Sequence, residues 1–79
     1  MLVNAGYQIL MMEFYEETKT NAYAFGYSPE KKEWVTWGVT KYGGNYSFFW
    51  GHYFTDPNKA LKDYHERLAK EYGRMEEQK

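Results

Sequence analysis

The sequence predicts an α+β domain: a four-stranded antiparallel β-meander with one C-terminal α-helix packed across one face (ββββα). Three observations predict it. Apolar and aromatic residues alternate with period two through much of residues 7–54. Gly43-Gly44 separates two such runs, and both positions accept positive φ without steric cost, which suits a two-residue hairpin turn. After Asp56-Pro57 the apolar spacing changes to three and four, the period of a helix.

The first strand is predicted over about 7–16, where Ile9, Leu10, Met11 and Met12 run consecutively ahead of Phe14. The polar residues from Glu16 to Asn21 form a turn. The second strand, about 22–28, sets Ala22, Ala24 and Gly26 on one side and Tyr23, Phe25 and Tyr27 on the other. Ser28-Pro29 opens a charged turn into the third strand, about 34–42, and the fourth covers 45–54.

Counting from Gly43-Gly44 sets the register of the last two strands. Val39 then faces Phe48, Trp37 faces Trp50 and Val35 faces His52. On the reverse side Gly38 lies opposite Phe49, Thr36 opposite Gly51 and Trp34 opposite Tyr53. An aromatic ring across from a glycine covers the gap that the missing side chain leaves.

The helix is predicted over about 57–76. Asp56 is a good N-cap and Pro57 suits the first helical position. Leu61, Tyr64, Leu68, Tyr72 and Met75 form its apolar stripe, expected to pack on the face bearing Val35, Trp37, Val39, Phe48 and Trp50. Lys62–Glu66, Asp63–Arg67, Glu66–Lys70 and Arg67–Glu71 have the spacing of i,i+4 ion pairs, each worth ~0.2–0.5 kcal/mol. Gln78-Lys79 are expected to fray.

Composition narrows the function classes. Seventeen of 79 residues are aromatic and none is cysteine, so a single domain (1–79) must build its core by packing, without disulfides or thiolate metal sites. A formal charge of −1 argues against nucleic acid as the main partner. No run approaches a membrane span or a signal peptide, which makes the cytoplasm the expected location.

No catalytic motif stands out. Ser28 and Ser47 sit in no nucleophile elbow, and no acid pair has a context that would split its pKa values. His52 and His65 could hold zinc only together with Asp63 or Glu66. The stronger reading makes His52 a hydrogen-bonded edge of the core and His65 a helix flank. No enzyme activity and no cofactor are expected.

Two surface features remain. A helix covers one side of a sheet, so Trp34, Tyr42, Phe49 and Tyr53 are candidate binding residues on the other side, forming either a recognition surface or a subunit contact. Stacking platforms for single-stranded bases also carry a basic track, and Lys41 is the one basic residue in the third and fourth strands. The first strand is apolar on both faces, with Ile9 and Met11 on one and Leu10, Met12 and Phe14 on the other. These five are candidate contacts of a homodimer.

Four strings carry a resemblance: Gly6-Tyr7, Val35-Thr36-Trp37, Gly51-His52-Tyr53-Phe54, and Ala60 with Asp63 and Arg67. Over residues 4–68 the chain resembles small domains of unknown function carried by bacterial conjugative elements and prophages, alone or within large multi-domain element proteins. The resemblance implies an accessory role in a mobile genetic element and assigns no activity. The leading expectation is a non-enzymatic binding module for an unidentified protein. The alternatives are single-stranded nucleic-acid binding through an exposed aromatic sheet face, or inhibition of a host defence enzyme.

Overall fold

In the computed structural model, which describes residues 2–77, five strands precede one helix: β1 (Val3–Asn4), β2 (Tyr7–Phe14), β3 (Asn21–Ser28), β4 (Glu33–Tyr42), β5 (Asn45–Phe54) and α1 (Pro57–Glu77). The strands form one antiparallel sheet in sequence order, β1 to β5. The α+β meander with a C-terminal helix is therefore present, with one strand more than expected. The fraying expected at Gln78-Lys79 lies outside the described residues.

The additional strand, β1, pairs with β2 through Val3↔Gln8 and Asn4↔Tyr7. Its turn is Ala5-Gly6, with φ of 51° and 84°, nearly the geometry of Gly43-Gly44 at 54° and 84°. Both have the positive φ at two central positions that matches the twist of a hairpin. β2 ends at Phe14, two residues before the expected end. There the Glu16 carboxylate accepts the backbone N–H of Asn21 at 2.9 Å and its Nδ2 at 2.8 Å, closing the turn into β3.

The register from the Gly43-Gly44 turn holds as far as Gly38↔Phe49, with Val39↔Phe48 as expected. The Phe49 ring lies over Gly38, where a Cβ would meet Phe49 Cε2 at 2.4 Å. Beyond Gly38 a bulge adds one residue to β5, so Thr36 pairs with His52, Val35 with Tyr53 and Trp34 with Phe54. The pairings expected for Trp37–Trp50, Val35–His52, Thr36–Gly51 and Trp34–Tyr53 are corrected accordingly. Gly51 turns toward Trp37, where an added Cβ would sit 2.6 Å from Trp37 Nε1. Trp50 turns the other way and takes φ of 50°.

A second bulge, between Ile9 and Met11, resolves the two-sided apolar pattern of β2. With Leu10 left over, Ile9 pairs with Gly26, Met12 with Ala24 and Phe14 with Ala22. Ile9, Met12 and Phe14 thus share a face, and all three pack against buried core residues. The expected grouping of Ile9 with Met11 is overturned by that one extra residue.

The helix covers the face opposite to the one expected. Ala60, Tyr64 and Leu68 bury against Phe25, with Tyr15, Tyr23, Trp34, Phe54 and Leu61 packed around them. The face bearing Val35, Trp37 and Val39 is closed by curling of the sheet instead. Tyr7 of β2 meets Trp37 edge-on at 5.3 Å and approaches Tyr53 of β5 at 5.9 Å. Strands that far apart in a flat sheet would be separated by about 14 Å. Within the predicted stripe, Tyr72 and Met75 stay exposed, and Ala60, outside that stripe, is buried in their place. The N-cap is as expected: the Asp56 carboxylate accepts the Asn58 N–H at 2.9 Å.

Candidate functional site

At the bulge in β5 stands the one aromatic residue with positive φ among the described residues. Trp50 is 77% exposed and sits in left-handed backbone, a conformation that costs a bulky L-residue about 1–2 kcal/mol. Phe49 meets its ring edge-on at 5.2 Å. A large aromatic surface is thus held toward solvent against its backbone preference.

Arg67 of α1 fixes this bulge. Its Nη2 donates to the Trp50 carbonyl at 3.0 Å, and its Nη1 donates to the Thr36 carbonyl at 3.2 Å and Thr36 Oγ1 at 2.9 Å. Its guanidinium also stacks over the Tyr23 ring at 4.7 Å. The hydroxyl of Thr36, fully buried, in turn donates to Asp63 at 2.5 Å. One hydroxyl therefore links a carboxylate to a guanidinium. His52 completes the group through Nδ1, 2.9 Å from Asp63 Oδ2.

Beside this network lies an open groove of about 370 Å³. Trp50 and His52 line it from the sheet, with Tyr23 at its floor, and Arg67, Lys70, Glu71 and Arg74 line it from the helix. Glu71 is satisfied internally: Tyr23 Oη donates to one oxygen at 3.0 Å and Arg74 pairs with the other at 3.1 Å. Burial first, then the hydrogen bond to Glu71, holds the Tyr23 phenol above its usual pKa. Among the described residues the Lys, Arg, Asp and Glu side chains form one ion pair, Glu71–Arg74, and His52 hydrogen-bonds to Asp63. None of the four expected i,i+4 pairs forms among the described residues: Arg67 turns into the sheet, away from Asp63 and Glu71, and Lys62, Glu66 and Lys70 are in no ion pair.

The four candidate binding residues do not share one surface. Trp34 packs on the helix-side core and against Tyr27 at 4.6 Å. Tyr42 is 71% exposed beside the Gly43-Gly44 turn, remote in register from Trp34. Phe49 lies on the helix side over Gly38, next to Trp50. Tyr53 is on the other face, against Tyr7 and Trp37. Only Phe49 belongs to the groove's surroundings. Of the five candidate dimer contacts, Leu10 and Met11 are exposed, whereas Ile9, Met12 and Phe14 pack on the core.

The residues that sequence reasoning missed are Trp50, placed in the core, and the cations that the helix brings beside it. The available signal was Trp50-Gly51 inside a strand, since an isolated glycine in a strand pattern suggests a bulge. His65 stands against the Tyr64 ring, 5.6 Å away. Among the described residues no three His, Asp or Glu side chains are placed to share a metal ion, and no helix is long and apolar enough to cross a membrane. No protein-family model, curated protein or solved structure matches the chain.

Proposed function

We propose that this protein is a non-enzymatic binding module whose partner is a protein, recognised through Trp50 and the groove beside it. The single observation that carries the reading is Trp50 itself. Tryptophan is enriched among residues that dominate protein interfaces. Here it is exposed, kept in strained backbone, and pinned from behind by Arg67. Strain of this kind clusters at binding and switch sites, and a β-bulge re-aims a side chain. The setting we propose, accessory machinery of a mobile genetic element, is supported by the sequence resemblance over residues 4–68.

Site-specific crosslinking tests the partner class. A photoreactive phenylalanine analogue replaces Trp50 in one variant and Thr18, in the β2–β3 turn, in another. The reading expects protease-sensitive adducts from position 50 and none from position 18. Adducts from position 50 that nuclease removes and protease spares would replace a protein partner with a nucleic acid.

Self-association is part of the proposal. It centres on Leu10, which is 52% exposed, and its neighbour Met11, along the edge of β2 that β1 leaves open. Light scattering at micromolar concentration is expected to report twice the 9.5 kDa chain mass. A monomer at that concentration would contradict it.

A further inference from the structure

We propose that the segment docking at Trp50 is an extended, acidic stretch of the partner protein, lying along β5 with its carboxylates on Arg67 and Lys70. The inference rests on the protein-partner reading above and adds the chemistry of what is bound.

Charge complementarity supplies the first argument. Arg67 spends three hydrogen bonds on neutral oxygens, the carbonyls of Thr36 and Trp50 and the Thr36 hydroxyl. A guanidinium has five N–H donors, so two lie outside these three bonds, on a group that lines the groove beside Tyr23. Lys70 pairs with no carboxylate among the described residues. Glu71, the acid that lines the groove, has both oxygens occupied by Tyr23 and Arg74. The groove therefore presents two cations that are in no ion pair beside an exposed indole, which fits a carboxylate next to an apolar or aromatic side chain.

The sheet supplies the second argument. β5 pairs with β4 alone, so its outer edge is open to an added strand. A segment in that position gains main-chain hydrogen bonds on either side of the bulge and sends alternate side chains over Trp50 toward the helix. Main-chain pairing supplies affinity and the groove supplies selectivity.

The same charges disfavour a nucleic acid. Arg67 and Lys70 lie one helical turn apart, and Glu66, Glu71 and Asp63 interrupt the surrounding surface. One or two carboxylates fit that pattern. A phosphate backbone requires a longer run of cations.

Selection from a library of random 12-residue peptides displayed on phage, against the immobilised protein, tests the inference. Enriched sequences are synthesised, and their affinities are measured for the parent protein, Trp50→Ala and Lys70→Glu. Far-UV circular dichroism of each variant establishes that it is folded. The expected result is enrichment of peptides with at least two more Asp and Glu than Lys and Arg. Their binding should weaken at least tenfold in Trp50→Ala and at least fivefold in Lys70→Glu. Neutral or basic peptides that still depend on Trp50 would overturn the acidic assignment and leave the protein-binding reading intact. Enrichment that ignores Trp50, or no enrichment, would overturn both. A 15-nucleotide oligothymidylate bound more tightly than the best peptide, and lost in Trp50→Ala, would replace the acidic segment with a nucleic acid.

Discussion

The Nη2 group of Arg67 donates to the backbone carbonyl of Trp50 at 3.0 Å, tying the middle of the helix to the bulge of the edge strand. The same guanidinium holds Thr36, which bridges to Asp63 and so to His52. The polar residues of the helix thus act on the sheet as one unit, and the exposed tryptophan is its outermost member.

Arg67→Met should therefore do two things. It removes charge-assisted hydrogen bonds worth about 1.5–3 kcal/mol in this class, lowering the denaturant midpoint. It also releases the bulge, so the Trp50 indole should become more mobile. ¹⁵N relaxation of the three indole N–H groups reads this directly. The account expects a fall in the heteronuclear NOE at Trp50 with Trp37 unchanged. An unchanged Trp50 signal would mean that the bulge needs no tie.

The core under the helix should respond in a graded way along its length. Leu68 is 5% exposed among Phe25, Ala60 and Tyr64, so Leu68→Ala should cost about 2–5 kcal/mol through lost burial and the cavity left behind. Met75 lies on the same predicted stripe but is exposed, so Met75→Ala should stay within about 0.5 kcal/mol. Equal costs at both positions, measured by urea denaturation, would contradict the placement of the helix.

Alkaline conditions test the two buried phenols. Burial first, then the hydrogen bond to Glu33, pushes Tyr7 up to about 12, and burial foremost pushes Tyr64 up to about 12, both from 10.0. A folded pKa above the unfolded one means that the native state keeps its proton to higher pH. Their contribution is present in full below about pH 10 and is lost as pH rises toward 12. Stability should hold to about that point and then fall. Tyr64→Phe, which keeps the ring in place, should make the fall shallower. A slope identical to the parent's between pH 10 and 12 would count against the burial of that phenol.

Local chemistry was legible in the sequence, and the choice between two similar faces was not. Gly43-Gly44, Asp56-Pro57 and Phe49 over Gly38 follow from turn geometry, capping and counting outward from a turn. The count fails past Gly38 because one residue is added at Trp50-Gly51, and β1 escaped notice because Ala5 adopts a φ of 51° that favours glycine or asparagine. The helix face was misassigned because both sheet faces are apolar: Val35, Trp37 and Val39 on one, Tyr23, Phe25 and Trp34 on the other. What selects between them is polar. Asp63, Arg67 and Glu71 find Thr36, His52 and Tyr23 on the covered face. The candidate site was hidden for the same reason, since helix packing brings Arg67 to Trp50 across 17 positions of sequence.

Trp50 is held out of the core in backbone that suits glycine, and the proposed role makes that placement serve what the indole contacts. The equilibrium stability of Trp50→Gly, set against Trp50→Ala, tests that placement most directly. Glycine takes φ of 50° without the steric cost that alanine shares with tryptophan, and its looser unfolded chain offsets part of that gain. The account predicts that Trp50→Gly is at least as stable as the parent and about 1 kcal/mol more stable than Trp50→Ala. A loss of about 3 kcal/mol or more in Trp50→Gly, of the size expected for a buried tryptophan, would show that Trp50 belongs to the core.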